Sequence, residues 1–229
     1  MMSRRGILGL IAGMGAFALA GCGSRGRSLR FRMSIDVAIP GGERSGGSVL
    51  ECVSRPGNGF QYSGGSWVIG QAPMVNLGDG RYLFALLRGP YEHGSIAGTL
   101  LKVLRSPDLQ PLLTDPNASA FAQAEATKPY GVVPPGDYPS VVSFRDLKNS
   151  KSVFEVDPGN ISSAFGPGYY LRRIAIQVVG DEEPLTEGIE EVLPWLGPHP
   201  ETLLDDEFYR SNPPLARTLS NGNFVFRKS

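Results

Sequence analysis

Two cysteines and two histidines are the residues best suited to nucleophilic, metal-binding or acid–base work in this sequence, and none is spaced for it. His93 follows Glu92 in a loop, and His199 sits between Pro198 and Pro200. A zinc site needs three or four ligands with a recognisable spacing, and one built here would have to combine single histidines with Cys52 or scattered carboxylates. Ser-x-x-Lys, Gly-x-Ser-x-Gly, His-Glu-x-x-His and the phosphate-binding Gly-x-x-x-x-Gly-Lys are all missing, and a Ser-His-Asp set can be drawn only by free choice. Gly46-Gly47-Ser48 and Gly64-Gly65-Ser66 could cradle an anion in a backbone nest, although such runs are more commonly hairpin turns. Cys52 shares an apolar stretch with Leu50 and reads as a buried, inert thiol. No catalytic, cofactor-binding or metal-ligating residue is assigned on these grounds.

Cys22 is different, because its surroundings give it a reaction. Met1-Met2-Ser3-Arg4-Arg5 is a positive start, Ile7 to Ala20 is apolar, and Gly21-Cys22 follows. That is the layout of a secretory signal, and the run is shorter than the ~18 apolar residues that span a bilayer comfortably. Leu19-Ala20-Gly21-Cys22 resembles the lipobox of bacterial lipoproteins. The resemblance implies a diacylglycerol on the Cys22 sulfur, cleavage before Cys22, and a further acyl chain such as palmitate on the new amino group. Gly23 and Ser24 follow the cysteine where an Asp would favour inner-membrane retention, which implies the periplasmic leaflet of the outer membrane. Ser3-Arg4-Arg5-Gly6-Ile7-Leu8 also resembles, in part, the twin-arginine export motif; the other reading is that the arginines only supply the positive start. Gly13-Met14-Gly15 lies inside the cleaved stretch, follows no strand and holds no dinucleotide.

The expected organisation is therefore a signal peptide at 1–21, a lipidated tether at 22–28 and one domain at 29–229. Composition bounds that domain. In 229 residues there are 22 basic and 22 acidic side chains, 41% hydrophobic residues, 30 Gly and 19 Pro. A core of ordinary size can form, and the balanced charge argues against a nucleic-acid partner. With Cys22 consumed, Cys52 is left without an intrachain disulfide partner.

The elements follow from periodicity. Leu29, Phe31, Met33, Ile35, Val37 and Ile39 alternate with polar or small residues, which predicts a half-buried strand of an antiparallel sheet. Pro40-Gly41-Gly42 should end it, and Gly46-Gly47 should lead into a second strand near Ser48–Ser54. Further strands are expected at Trp67–Ile69, Met74–Leu77, Arg81–Leu87, Val141–Phe144, Ser152–Val156 and Tyr169–Val179, with Leu83 to Leu87 buried on both faces. Leu77-Gly78-Asp79-Gly80-Arg81 predicts a tight turn. A helical insertion near 95–127 rests on the stripe Ile96, Leu100 and Leu104, with Ser95 as cap, and on Asp115-Pro116 opening a second helix. Pro129 to Pro139 reads as loop.

Two charged stretches stand out. Arg25, Arg27, Arg30 and Arg32 cluster beside the proposed lipid, either to meet an anionic surface or as the wet face of the first strand. From Asp181 to Glu207 there are ten carboxylates and no Lys or Arg. The stretch reads as solvated surface held down by Trp195 and its apolar neighbours; a site for a cation or basic partner is the alternative.

The body of the chain resembles an uncharacterised family of proteobacterial envelope proteins. The matching stretches include Arg30-Phe31-Arg32-Met33-Ser34-Ile35-Asp36-Val37, Ser152-Val153-Phe154-Glu155-Val156-Asp157-Pro158, Phe165-Gly166-Pro167-Gly168 and Gly188-Ile189-Glu190-Glu191-Val192-Leu193-Pro194-Trp195-Leu196. The resemblance brings no catalytic residue and no activity. The fold expected is a β-rich α+β domain, mainly an antiparallel sheet or sandwich with one or two short helices and long Pro/Gly-rich loops. The function expected is a non-enzymatic binding or scaffolding lipoprotein held to the membrane through Cys22, without a cofactor. The alternative is a hydrolase acting on a cell-wall or lipid substrate.

Overall fold

The computed structural model describes residues 27–55, 65–90, 94–109, 120–208, 211 and 213–227. The lipobox, His93, Gly64 and the Asp115-Pro116 helix start lie outside the described residues. The strands are β1 (Arg27–Ile39), β2 (Gly42–Arg55), β3 (Gly65–Gln71), β4 (Met74–Gly78), β5 (Arg81–Ala85), β6 (Tyr130–Val132), β7 (Val141–Phe144), β8 (Val153–Glu155), β9 (Tyr170–Val178) and β10 (Val225–Phe226). The helices are α1 (Ile96–Leu104), α2 (Ala120–Thr127), α3 (Ser162–Phe165), α4 (Ile189–Val192) and α5 (Leu215–Thr218). A six-stranded sheet runs β10-β3-β2-β1-β9-β6 and a four-stranded sheet runs β4-β5-β7-β8, with antiparallel pairing throughout the described residues. This is the β-rich α+β architecture that the alternating patterns predict.

Period-2 alternation decides which side of each strand is dry. Phe31, Met33, Ile35 and Val37 leave β1 toward the four-stranded sheet and are fully buried. Ile174, Ile176 and Val178 on β9 stand beside them in register, and the apolar stripe of α1 closes one end of the same core. Ser95 caps α1 by accepting a hydrogen bond from the Gly98 amide at 3.2 Å. The centre of the four-stranded sheet, Leu83 to Ala85 of β5 and all of β7, is buried on both faces. Leu83, Ala85 and Leu87 join this first core, whereas Phe84 and Leu86 point into a second one with Phe144, Ile189, Leu193 and Phe224. An unbroken apolar run is what a strand between two cores requires.

Two expectations are corrected. The first concerns Gly46-Gly47, which does not precede β2 but lies within it. The hairpin closes at Pro40–Gly41, and Ile39 pairs directly with Gly42. A Cβ on Gly46 would sit 2.1 Å from the Met74 carbonyl oxygen, so the glycine is where β4 crosses β2 backbone to backbone. The second concerns 129–139, which is not all loop: Tyr130–Val132 forms the edge strand β6 on β9. Four residues between Pro129 and Pro134 leave too short a run for periodicity to register.

Beyond β9 the chain straps itself across the outer face of the larger sheet. Arg30 Nη1 donates to the carbonyls of Asp181 and Glu183, both at 2.5 Å, and Arg32 Nη2 pairs with Glu183 at 2.5 Å. Thr186 then exchanges hydrogen bonds with the Val49 backbone, and Gln71 accepts from the Ile189 amide at 3.0 Å. Arg30 and Arg32 are thus the wet face of β1, already engaged by the acidic stretch. That stretch does find a basic partner, and the partner is this chain: Lys128 meets Glu182, Lys151 meets Asp205 and Glu207, and Arg227 meets Glu190. Most of its carboxylates are exposed as expected, but Asp205 is buried, its side chain 2% exposed.

Candidate functional site

The residues that the sequence marks for chemistry do not come together. Cys52 faces the first core with no exposed surface, and burial pushes its thiol pKa up to about 12. His199 is largely exposed, with Glu201 Oε1 3.6 Å away as its ionic neighbour. Ser48, next to the two glycines, is buried in β2. Gly46 and Gly47 run in extended strand and build no anion nest; Gly65 opens β3, and its neighbour Gly64 lies outside the described residues.

A cleft of about 500 Å³ forms instead where the four-stranded sheet outruns the first core. The same alternation that buries Leu83 and Ala85 brings Arg81 to this face of β5. On β7 the inward positions continue from Val141 to Ser143 and on to Arg145, just past the strand end. Phe154 of β8 pairs opposite Ser143, and Ser163 to Phe165 of α3 make the facing wall. Four stretches far apart in sequence thus meet at one end of the sheet.

Arg81 is held from several sides. Its Nη2 donates to Asp79 Oδ2 at 2.9 Å and to the Tyr169 hydroxyl at 2.8 Å, and its guanidinium lies 5.2 Å over the Tyr169 ring. Asp79 can reach back because the β4–β5 turn is left-handed at three successive residues, with φ of 90°, 53° and 70° at Gly78, Asp79 and Gly80. Arg145 lies 5.2 Å over the Phe154 ring, and no carboxylate among the described residues forms an ion pair with it. The hydroxyls are committed: Ser143 donates to the Tyr82 carbonyl at 2.7 Å and Ser163 to the Asn160 carbonyl at 2.8 Å. Glu155 stands exposed at the rim.

Each guanidinium lies over an aromatic ring, a chemistry suited to a carboxylate or phosphate on an apolar or ring-shaped body, with Asp79 already taking part of the capacity of Arg81. None of the cleft's hydrogen bonds links a hydroxyl to a carboxylate or an imidazole, the arrangement that would activate a nucleophile. The sequence held a trace of this site. Ser143 and Arg145 interrupt an apolar strand at alternate positions, and Arg81 closes the turn motif. Spacing along one chain could not reveal that these strands are neighbours.

Comparisons with models of known protein families, with characterised proteins and with solved structures find no match for this chain.

Proposed function

We propose that this chain is a lipid-anchored protein of the bacterial envelope that works by binding, as a member of the envelope family its sequence resembles. The observation that carries the reading is Leu19-Ala20-Gly21-Cys22, set after an apolar stretch and only five residues before β1 begins at Arg27. Acylated at Cys22, the domain is held close to the membrane, on the periplasmic side of the outer membrane. Two or three acyl chains, at about 0.8 kcal/mol per buried CH₂, make the attachment stable where one chain would not. The Arg81–Arg145 cleft supports binding as the activity, and an anionic envelope component suits its chemistry.

The test is mass spectrometry of the N-terminal peptide together with fractionation. The wild type should carry acyl groups on Cys22 and stay with membranes through high-salt washes, while Cys22→Ser protein should carry none and leave the membrane fraction. Unacylated wild type that fractionates like Cys22→Ser overturns the reading. Anionic envelope fragments should bind the wild type in a calorimetric titration, and Arg145→Ala should weaken that binding about tenfold or more, the loss expected for one charge-assisted contact.

A further inference from the structure

A second concavity, of about 180 Å³, opens at the edge of β3. It is lined by Trp67, Val68, Leu87, Arg88, Gly222 and Phe226, and it is predominantly apolar. Trp67 and Val68 leave the strand on opposite faces, so the slot lies along the strand's edge. It is open there because β10 pairs only with Gly70 and Gln71. Arg88 is part of its lining, and Arg55 lies against one of the lining rings. Arg55 lies 5.1 Å over the Trp67 ring, and Arg88 lies 6.0 Å over the Phe226 ring. Neither has a carboxylate ion-pair partner among the described residues.

Its position gives the slot a meaning. Ser28 pairs with Val53 and Val53 pairs with Trp67, so Trp67 stands two strands from the start of the domain, roughly 10 Å at the usual strand spacing. Four residues lie between Cys22 and Arg27, five residue steps with a reach of at most about 18 Å when fully extended. With a lipid on Cys22, this edge would lie within the tether's reach of the membrane surface. Tryptophan prefers the boundary between headgroups and acyl chains, and arginine can lay its stem on apolar surface while its fork holds a phosphate.

We infer that the Trp67 slot is a phospholipid site on the membrane-facing pole, taking part of one acyl chain while Arg55 and Arg88 hold the phosphate of an anionic lipid from the leaflet that carries the anchor. The inference rests on the lipid-anchor reading above. It adds that the domain sits down on the bilayer in one orientation.

Acylated full-length protein reconstituted into phosphatidylglycerol–phosphatidylethanolamine vesicles tests it, with brominated against plain acyl chains and tryptophan emission as readout. In Trp195→Phe protein, where Trp67 alone emits, bromine should reduce emission about twofold or more, as for an indole at the interface. In Trp67→Phe protein, where Trp195 alone emits, bromine should change little. Arg55→Ala together with Arg88→Ala should remove most of the quenching while the protein still floats with the vesicles. If Trp195→Phe does not fold, wild type against Trp67→Phe gives the same comparison. Acylated protein that floats with its Trp67 emission unaltered by bromine overturns the slot and leaves the lipid anchor standing. Protein that carries no acyl group and does not float overturns the anchor, and the slot falls with it.

Discussion

Asp36 shows how one outward side chain on β1 helps hold the sheet together. It is 8% exposed and accepts hydrogen bonds from Ser45 Oγ on β2 and from Arg173 Nε on β9, both at 2.6 Å. Burial pushes its pKa up, but the hydrogen bonds from Ser45 and Arg173 and the Arg173 charge outweigh that and leave it below the usual 3.8. A carboxyl whose folded pKa is depressed contributes stability above its unfolded pKa and loses it as pH falls through the folded value. Asp36→Asn should therefore cost about 1–2 kcal/mol at neutral pH, the range for a charge-assisted hydrogen bond whose Arg173 partner stays half in water. Urea midpoints of the two proteins should draw together between pH 7 and a pH well below the usual carboxylate range, as the wild-type carboxyl takes up its proton. A gap that stays the same at both pH values would show that the charge plays no part. Lys151 is the mirror case, its pKa raised by hydrogen bonds to Glu207 and Asp205. Cys52 needs no partner, since burial alone keeps it a thiol.

At the scale of elements, what the sequence disclosed depended on whether a signal was local. β1 is legible from its alternation, and so is Leu83 to Leu87, where a continuous apolar run matches a strand between two cores. α1 is legible from Ser95 and its stripe. Gly46-Gly47 misleads because glycine serves two needs, a turn or a close crossing of backbones, and only the partner strand tells which. The Arg81–Arg145 cleft was hidden for a similar reason: each residue looks like ordinary strand polarity until β5, β7, β8 and α3 are brought together. The crossing can be tested with two alanines. Gly46→Ala places a Cβ 2.1 Å from the Met74 carbonyl oxygen, and the obstacle is backbone, so it should destabilise by about 3 kcal/mol or more. Gly42→Ala meets nothing within 4 Å and should lie within about 0.5 kcal/mol of wild type. Equal unfolding midpoints for the two variants would mean that β4 does not press on β2 at this point.

Among the described residues the larger sheet, the smaller sheet and an irregular layer formed by the chain from Ile189 onward pack in three layers. That last layer has little regular structure of its own, so its attachment depends on side chains. Trp195 sits between the Phe144 and Phe224 rings, at centroid distances of 5.5 and 5.8 Å, and donates its Nε1–H to the Leu147 carbonyl at 2.9 Å. Ile189, Leu193 and Leu219 fill the space around this cluster. The acidic stretch is thereby fixed near its start by Arg30 and Arg32, at its middle by the aromatic cluster and near its end by Lys151. Each of these ion pairs has at least one partner in water, even where Asp205 is buried, and such pairs contribute little individually. The apolar cluster should therefore dominate. Trp195→Ala should cost about 3–5 kcal/mol, the range for emptying a large aromatic site. Arg32→Ala, which breaks an exposed pair, should cost under about 1 kcal/mol. Hydrogen exchange gives the sharper readout. In Trp195→Ala protein the amides of Leu193, Leu204 and Phe224 should exchange faster while those of β1 and β9 keep their order of protection, because the third layer can open without parting the two sheets. If β1 and β9 lose protection in step with Phe224, the three layers unfold as one unit and the aromatic cluster is a part of a single core.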